Sequence, residues 1–216
     1  MIIYNPLDGH TFPSSPEYRP KNCFLMTRLG GQIPKEVNDI RDSVTNVCRA
    51  HEYDVVDANT TVTGRDFLLK IWKLIAETPL SIGVVQRNIP ARTQANIFYE
   101  LGVAQALGKE TLIIKCAKSK VPSDFTRTEY IEFNDQFDDR FGNFMSALQV
   151  QAGYYETVAE QLDRNPLLAI DYIRRAFLIT GNANLKQKTQ EILESAGLEN
   201  RAKNSVEVLA AAFASG

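Results

Sequence analysis

Short apolar runs alternate with helix-length segments between residues 22 and 133 of this chain. The runs share a length of four to six residues and are CFLMT at 23–27, YDVVD at 53–57, LSIGVV at 80–85, TLIIKC at 111–116 and YIEF at 130–133. Apolar residues at helical spacing fill the intervals at 34–50, 65–77 and 96–109. Strands that alternate with helices form βαβ units, in which parallel strands are joined by right-handed crossovers. The sequence therefore predicts an α/β protein: a flavodoxin-like or Rossmann-like parallel sheet of about five strands, covered by helices on both faces.

Both ends of the chain lack this alternation. Residues 1–21 contain four of the nine prolines, which predicts an extended arm over the domain or over a neighbouring subunit. Residues 151–216 carry no strand pattern; their apolar spacing predicts helices at 154–162, 166–180, 185–195 and 202–213. We therefore expect an arm (1–21), an α/β domain (22–150) and a helical region (151–216). The apolar faces of that region must cover the domain or another chain, so we expect a homo-oligomer or a protein partner bound there.

Composition limits the classes of partner. The formal charge of -2 and the 44% of hydrophobic residues are typical of a globular protein without an overall basic field, so nucleic-acid binding is not expected. The apolar runs are shorter than the roughly 20 residues that span a bilayer, and the N-terminus lacks the order of a signal peptide. We expect a cytoplasmic protein without membrane contact. Three widely spaced cysteines and two histidines provide no zinc-ligand spacing, and no metal or cofactor is expected.

One acidic residue lies on the apolar side of the helix predicted at 96–109. At 3.6 residues per turn, Glu100 falls between Ala104 and Leu107. If Asn96 is the N-cap, Glu100 lies in or just beyond the first turn, where the helix dipole favours the ionised carboxylate and burial favours the protonated one. Such a glutamate can act as a nucleophile at neutral pH. Alternatively, it extends to water or pairs with an arginine.

The position of this helix in the predicted sheet points to a ligand site. Ligands bind sheets of this type outside the carboxyl ends of the strands, near the point where the strand order reverses. The loops expected at that edge are 28–32, 58–64 and 86–95. The last of them leads directly into the helix that carries Glu100.

The order of these segments resembles the nucleoside 2-deoxyribosyltransferase-like group and its TIR-like bacterial relatives. The resemblance covers about residues 22–148 and is densest at 96–109, where residues 99–102 match the group's Tyr-Glu-Leu-Gly signature without a gap. It implies cleavage or transfer at the N-glycosidic bond of a nucleoside, a nucleotide or an NAD-like molecule. Glu100 would be the carboxylate that attacks or stabilises the anomeric carbon, as in glycoside hydrolysis, and no metal is needed.

The resemblance also implies a set of ligand contacts around this carboxylate, namely Arg28, Gly30, Gly31, Gln94 and Asn96. The two glycines would allow close backbone approach, and Arg28 could bind a phosphate. A plain turn with a solvated Arg28 and a helix cap at Asn96 fit the same residues.

The chain departs from the group's pattern in two places. Many relatives carry an aspartate where this chain has Lys70 and Ile71; Asp66, one turn earlier on the same helix face as Lys70, could reach the same site or serve as a helix-start carboxylate. The exit of the run at 80–85 also lacks an acid: relatives often read Ala-Asp-Leu-Thr where this chain reads Gly83-Val84-Val85-Gln86. In the relatives, the first of these two acids would orient or protonate the substrate.

Three functions therefore remain open from the sequence. The first is an N-glycoside-cleaving enzyme that uses Glu100 and Asp66, for example as a bacterial defence effector that depletes NAD or nucleotides. The second is a catalytically degenerate sensor that binds a nucleotide and signals through its helical tail. The third is an α/β scaffold whose tail builds an oligomer.

Overall fold

A computed structural model of the protein describes residues 17–28, 33–58, 67–87, 89–122, 125, 129–162 and 164–195. Several predictions from the sequence concern residues outside these ranges: most of the N-terminal arm, Gly30, Gly31, Asp66 and the helix at 202–213.

The described residues form strands and helices in alternation up to the fourth strand, and the fifth strand follows it without a described helix between them. The strands are β1 Asn22–Met26, β2 Asp54–Asp57, β3 Leu80–Val85, β4 Glu110–Lys115 and β5 Tyr130–Glu132. The helices are α1 Lys35–Ala50, α2 Phe67–Glu77, α3 Ala91–Ala106, α4 Phe137–Glu160, α5 Pro166–Thr180 and α6 Asn184–Ser195. The predicted fold class is confirmed, because all strand pairs are parallel and helices cover the sheet.

The strand order is β2-β1-β3-β4-β5, which is the flavodoxin-like arrangement. After β2 the chain crosses over β1 and adds β3 on the other side, so the direction of winding reverses between β1 and β3. Ligands bind in the crevice that such a reversal opens at the carboxyl ends of the strands. In this protein the crevice is bordered by the segments that begin at Thr27 and Gln86.

Two apolar layers cover the sheet, one on each face. Successive residues of β1 alternate between them: Cys23 and Leu25 join the layer with α1 and α4, whereas Phe24 and Met26 join the layer with α2 and α3. The central strand β3 is buried along its whole length, as expected for a strand covered on both faces.

The helical region packs on the α/β domain. The helix α5 lies against α4, and α6 lies against α5. The amide of Lys21 donates to the carbonyl of Leu178 at 2.8 Å, and the hydroxyl of Tyr53 donates to the carbonyl of Ile179 at 2.8 Å. Both donors lie where β1 and β2 begin, so the end of α5 covers the amino edge of the sheet. Within the described ranges, no helix is long and apolar enough to cross a membrane.

Two helix boundaries differ from the predictions. The helix α3 begins at Ala91 and not near Asn96, because Pro90 holds extended backbone before it and the polar run ARTQA is compatible with a helix. The helix α4 begins at Phe137 and continues to Glu160, whereas the predicted helix began at 154. Its early turns carry an aromatic stripe that packs on the sheet, formed by Phe137, Phe141 and Phe144.

The contact between α3 and β3 depends on a glycine in the strand. A Cβ atom at Gly83 would lie 2.7 Å from Cδ1 of Leu101 and 2.9 Å from Cγ2 of Ile97. Both distances are shorter than van der Waals contact, so a side chain at position 83 would require Leu101 and Ile97 to shift. Gly83 thereby sets the depth at which α3 sits on the sheet.

We expect Gly83→Ala to lower the free energy of unfolding by about 1–3 kcal/mol, because the new methyl group forces α3 outward. Urea denaturation monitored by circular dichroism measures the change. Gly102→Ala is the matched control: nothing lies within 4 Å of its Cβ position, and alanine in a helix should stabilise by about 0.5–1 kcal/mol. Equal effects of the two substitutions would contradict the close-packing argument.

Candidate functional site

Three buried polar atoms at the carboxyl edge of the sheet lack a partner within the described part of the chain. They are Oγ1 of Thr27, Nε2 of Gln86 and Oγ of Ser119, and none has a hydrogen-bond partner among the described residues. Thr27 and Gln86 directly follow β1 and β3, and Ser119 lies in the loop after β4. The three residues are at most 7% exposed. A buried polar atom left without a partner costs roughly 1–3 kcal/mol, so these three atoms require a polar partner from outside the described residues.

Glu100 lies on α3 between the sheet and α2. Its neighbours Ile97 and Leu101 meet β3 at Gly83, and Tyr99 contacts the ring of Trp72 on α2 at a centroid distance of 6.5 Å. Since residues follow each other by about 100° around a helix, Glu100 occupies the side between these two contacts. It is level with Gly83, the fourth residue of the six in β3. The carboxylate therefore belongs to the half of the sheet that ends at the crevice.

The Glu100 side chain is half-buried, and no described residue forms an ion pair or hydrogen bond with it. Burial raises its pKa from 4.5 to about 7. Pairing with an arginine, the structural alternative considered for this residue, is not observed in the described part of the chain. Near neutral pH both protonation states of Glu100 are populated, which suits a group that reacts or transfers a proton.

The helix dipole does not act on this carboxylate as the sequence analysis expected. Because α3 begins at Ala91, Glu100 is its tenth residue, whereas the dipole effect is confined to about the first turn. Asn96 lies inside the helix, so its assignment as the N-cap is wrong; Pro90 occupies that position. Burial alone accounts for the raised pKa.

The other predicted ligand residues have separate surroundings. Arg28 is half-buried just beyond β1, at the same edge as Thr27. Gln94 lies in the first turn of α3 and donates from Nε2 to the carbonyl of Lys120 at 3.3 Å, which ties α3 to the loop after β4. Asn96 is exposed one turn before Glu100 on the same side of the helix.

The helix α2 supplies no acid to this site within its described residues. Ile71 is 1% exposed and packs in the layer between α2, α3 and the sheet, and Lys70 is half-buried. Asp57, at the end of β2, forms an ion pair with Arg41 of α1. Among the residues that the structure describes, no group of three His, Cys, Asp or Glu side chains could hold a metal ion.

Sequence reasoning missed Thr27 and Ser119 as candidate ligand residues and treated Gln86 only as a departure from a pattern. A polar residue directly after the last apolar residue of a buried strand was the available signal for Thr27 and Gln86. No comparable signal marks Ser119, which lies beyond a turn after β4.

Two solved structures are similar to this chain. One is a 2-deoxyribosyltransferase from Bacillus psychrosaccharolyticus, with 14% identity, a TM-score of 0.43, and coverage of 56% of this chain and 90% of that one. The other is the CMP N-glycosidase BcmB from Clostridium botulinum, with 18% identity, a TM-score of 0.40, and coverage of 59% and 99%. The first is a 2-deoxyribosyltransferase by name, and residues 99–102 of this chain match the Tyr-Glu-Leu-Gly signature of that group. No protein-family model and no curated protein matches the sequence.

The raised pKa of Glu100 predicts a pH-dependent stability. The folded protein holds this proton more tightly than the unfolded chain, so the free energy of unfolding falls as pH rises from 4.5 to about 7 and stays lower above that. Glu100→Gln should remove this contribution and stabilise the protein above pH 7 by up to about 3 kcal/mol. Urea denaturation at a series of pH values measures it.

The exposed residue Glu129 provides the control, since Glu129→Gln removes a carboxylate that is not buried. Its stability should follow the pH dependence of the wild type. If Glu100→Gln also retains the wild-type dependence, burial of the Glu100 carboxylate is not the cause.

Proposed function

We propose that the protein cleaves or transfers at the N-glycosidic bond of a nucleoside, a nucleotide or an NAD-like molecule, with Glu100 as the reacting carboxylate. The observation that carries the proposal is a half-buried glutamate with a pKa of about 7 and no partner among the described residues, placed beside the crevice between β1 and β3. The two similar solved structures are named as enzymes that act on N-glycosidic bonds. Their TM-scores are below 0.5, so the proposal does not rest on them.

The reaction follows from the chemistry of the two groups. An ionised Glu100 oxygen attacks the anomeric carbon as the bond to the base nitrogen breaks, and the electron pair leaves with the base. A purine or pyrimidine base takes up a proton as it leaves, whereas nicotinamide is cationic in the substrate and leaves neutral. The product is a glycosyl ester on Glu100. Water then attacks the same carbon, releases the carboxylate and gives up a proton; an acceptor base in place of water gives transfer.

The buried polar atoms at the crevice would position the substrate. Thr27, Gln86 and Ser119 supply hydroxyl and amide groups, and Arg28 adds a positive charge at the same edge. A ligand that pairs with these atoms regains the hydrogen bonds that they lack within the described protein. Neutral donors of this kind hold a sugar or a base in place and leave the chemistry to the carboxylate.

One observation favours a second candidate, a sensor that binds the same ligand without cleaving it. The helix α2 places Ile71 in the core, and its described residues bring no second acid towards Glu100. A site with a single carboxylate lacks an evident proton donor for the departing base. In this reading the ligand raises the melting temperature but no base is released.

Base release separates these functions. The purified protein is incubated with NAD, nucleosides, 2′-deoxynucleosides and nucleoside monophosphates, and free base is measured by chromatography. We expect release by the wild type to fall roughly a thousandfold or more in Glu100→Gln, since a covalent step is lost. The rate should rise with pH about a midpoint near 7, because only the ionised carboxylate attacks.

The control is Glu129→Gln, which should react like the wild type. Base release that survives in Glu100→Gln would disprove the role of this carboxylate. No release from any substrate, together with ligand-dependent stabilisation, would support the sensor.

A second prediction concerns the polar atoms of the crevice. Gln86→Leu and Thr27→Val should each raise KM roughly tenfold, because each removes a group that would pair with the substrate. Ser81→Ala is a matched control: its hydroxyl is also buried without a partner among the described residues, but it is the second residue of β3, far from the crevice. A KM change in Ser81→Ala equal to the other two would show that the loss of a buried polar group acts through the fold.

A further inference from the structure

A second cleft lies at the amino edge of the sheet, opposite the crevice that carries the proposed function. Its lining includes Gly108, Lys109 and Glu110, which lead into β4, and Arg174 and Arg175 of α5. Three basic side chains therefore meet where α5 crosses the sheet. The proposed reaction at Glu100 uses none of them.

The guanidinium of Arg175 is held in one place by its surroundings. Its Nε atom donates to Oδ2 of Asp171 at 2.9 Å, and its Cζ atom lies 5.5 Å from the centre of the Tyr172 ring. A Cβ atom at Gly108 would lie 2.4 Å from Nη2 and 3.0 Å from Nη1, so the guanidinium rests directly over the glycine. Within the described part of the chain, neither Nη atom donates a hydrogen bond. The donors are therefore fixed, have no acceptor among the described residues, and belong to a side chain that is 30% exposed and open to a ligand.

The two neighbouring cations have further donors to spare. Nζ of Lys109 donates to the carbonyl of Ala76 at 2.7 Å, and an ammonium group has three donors. Arg174 donates to the hydroxyl of Tyr18 at 3.1 Å and pairs with Asp171, while its buried Nε has no partner among the described residues.

The carboxylates that the structure describes near the cleft are fewer than the basic side chains and already have partners. Asp171 is shared by Arg174 and Arg175, and Glu110 accepts from the hydroxyl of Tyr155 at 2.5 Å. Burial lowers the pKa of Lys109 well below its usual value, and the guanidinium of Arg174 lowers it further. An anion in the cleft would oppose both effects, since it restores favourable surroundings for the charged amine.

We propose that this cleft binds a small tetrahedral oxyanion such as inorganic phosphate, through the Nη atoms of Arg175 and the amine of Lys109. Fixed guanidinium groups match the oxygens of phosphate in a bidentate manner, and charge-assisted hydrogen bonds are the stronger kind. The bound anion joins α5 to the turn before β4 and so stabilises the packing of the helical region on the sheet. The site is independent of the reaction at Glu100.

Thermal unfolding of the full chain tests the site, with inorganic phosphate titrated against sodium chloride at constant ionic strength. The melting temperature of the wild type should rise with phosphate and saturate. Arg175→Met and Lys109→Met should each weaken the apparent affinity roughly tenfold, which corresponds to the loss of one charge-assisted contact. Arg175→Lys should retain part of it.

Arg28→Met is the matched control, because Arg28 lies at the opposite edge, where a phosphate could also bind. Loss of the phosphate effect in Arg28→Met, and not in Arg175→Met, would place the anion at the crevice and overturn the proposal. No phosphate-dependent rise in the wild type would overturn it as well.

Nuclear magnetic resonance gives a readout that does not depend on the folding of any variant. In the wild-type protein with labelled arginine, phosphate should shift the side-chain Nε–H signals of Arg174 and Arg175. Shifts confined to other arginines would exclude this cleft as the binding site.

Discussion

The close contact between α3 and β3 at Gly83 determines where the candidate carboxylate lies. Ile97 and Leu101 occupy the space that a Cβ atom would take, so the helix sits deep against the central strand. This contact determines the position of Glu100, because Glu100 is next to Leu101 and one turn from the fully buried Ala104. The helix thus carries an acid into partly dehydrated surroundings, and the pKa of about 7 is the electrostatic consequence.

The two edges of the sheet are used in different ways. At the carboxyl edge, the reversal of strand order between β1 and β3 opens a crevice, and buried polar atoms without described partners lie around it. At the amino edge, the chain places α5 over the strand starts and joins it to them with hydrogen bonds from Lys21 and Tyr53. The helix α5 therefore covers part of the amino edge and does not cover the crevice.

The local sequence pattern predicted most of the architecture. All five strands fall within a residue or two of the predicted runs, since alternation of apolar runs with helical segments is a property of neighbouring residues. The start of α3 was wrong by five residues because Asn96 resembled a cap and the polar run before it resembled a loop. Because of that error, the sequence analysis expected the helix dipole to favour the ionised form of Glu100. The dipole acts only near the first turn of α3, and Glu100 lies beyond it.

The sequence by itself determined the parallel α/β fold and the side of the helix on which Glu100 lies, because both depend on periodicity along the chain. Tertiary structure decided the pKa of Glu100, which depends on how far α2 and the sheet exclude water from it. It also decided which polar atoms converge: Thr27, Gln86 and Ser119 follow three different strands, and Lys109 meets Arg174 and Arg175 only where α5 crosses the sheet. Solvent exclusion and hydrogen bonding depend on residues that are far apart in the chain. The periodicity of neighbouring residues therefore does not predict these effects.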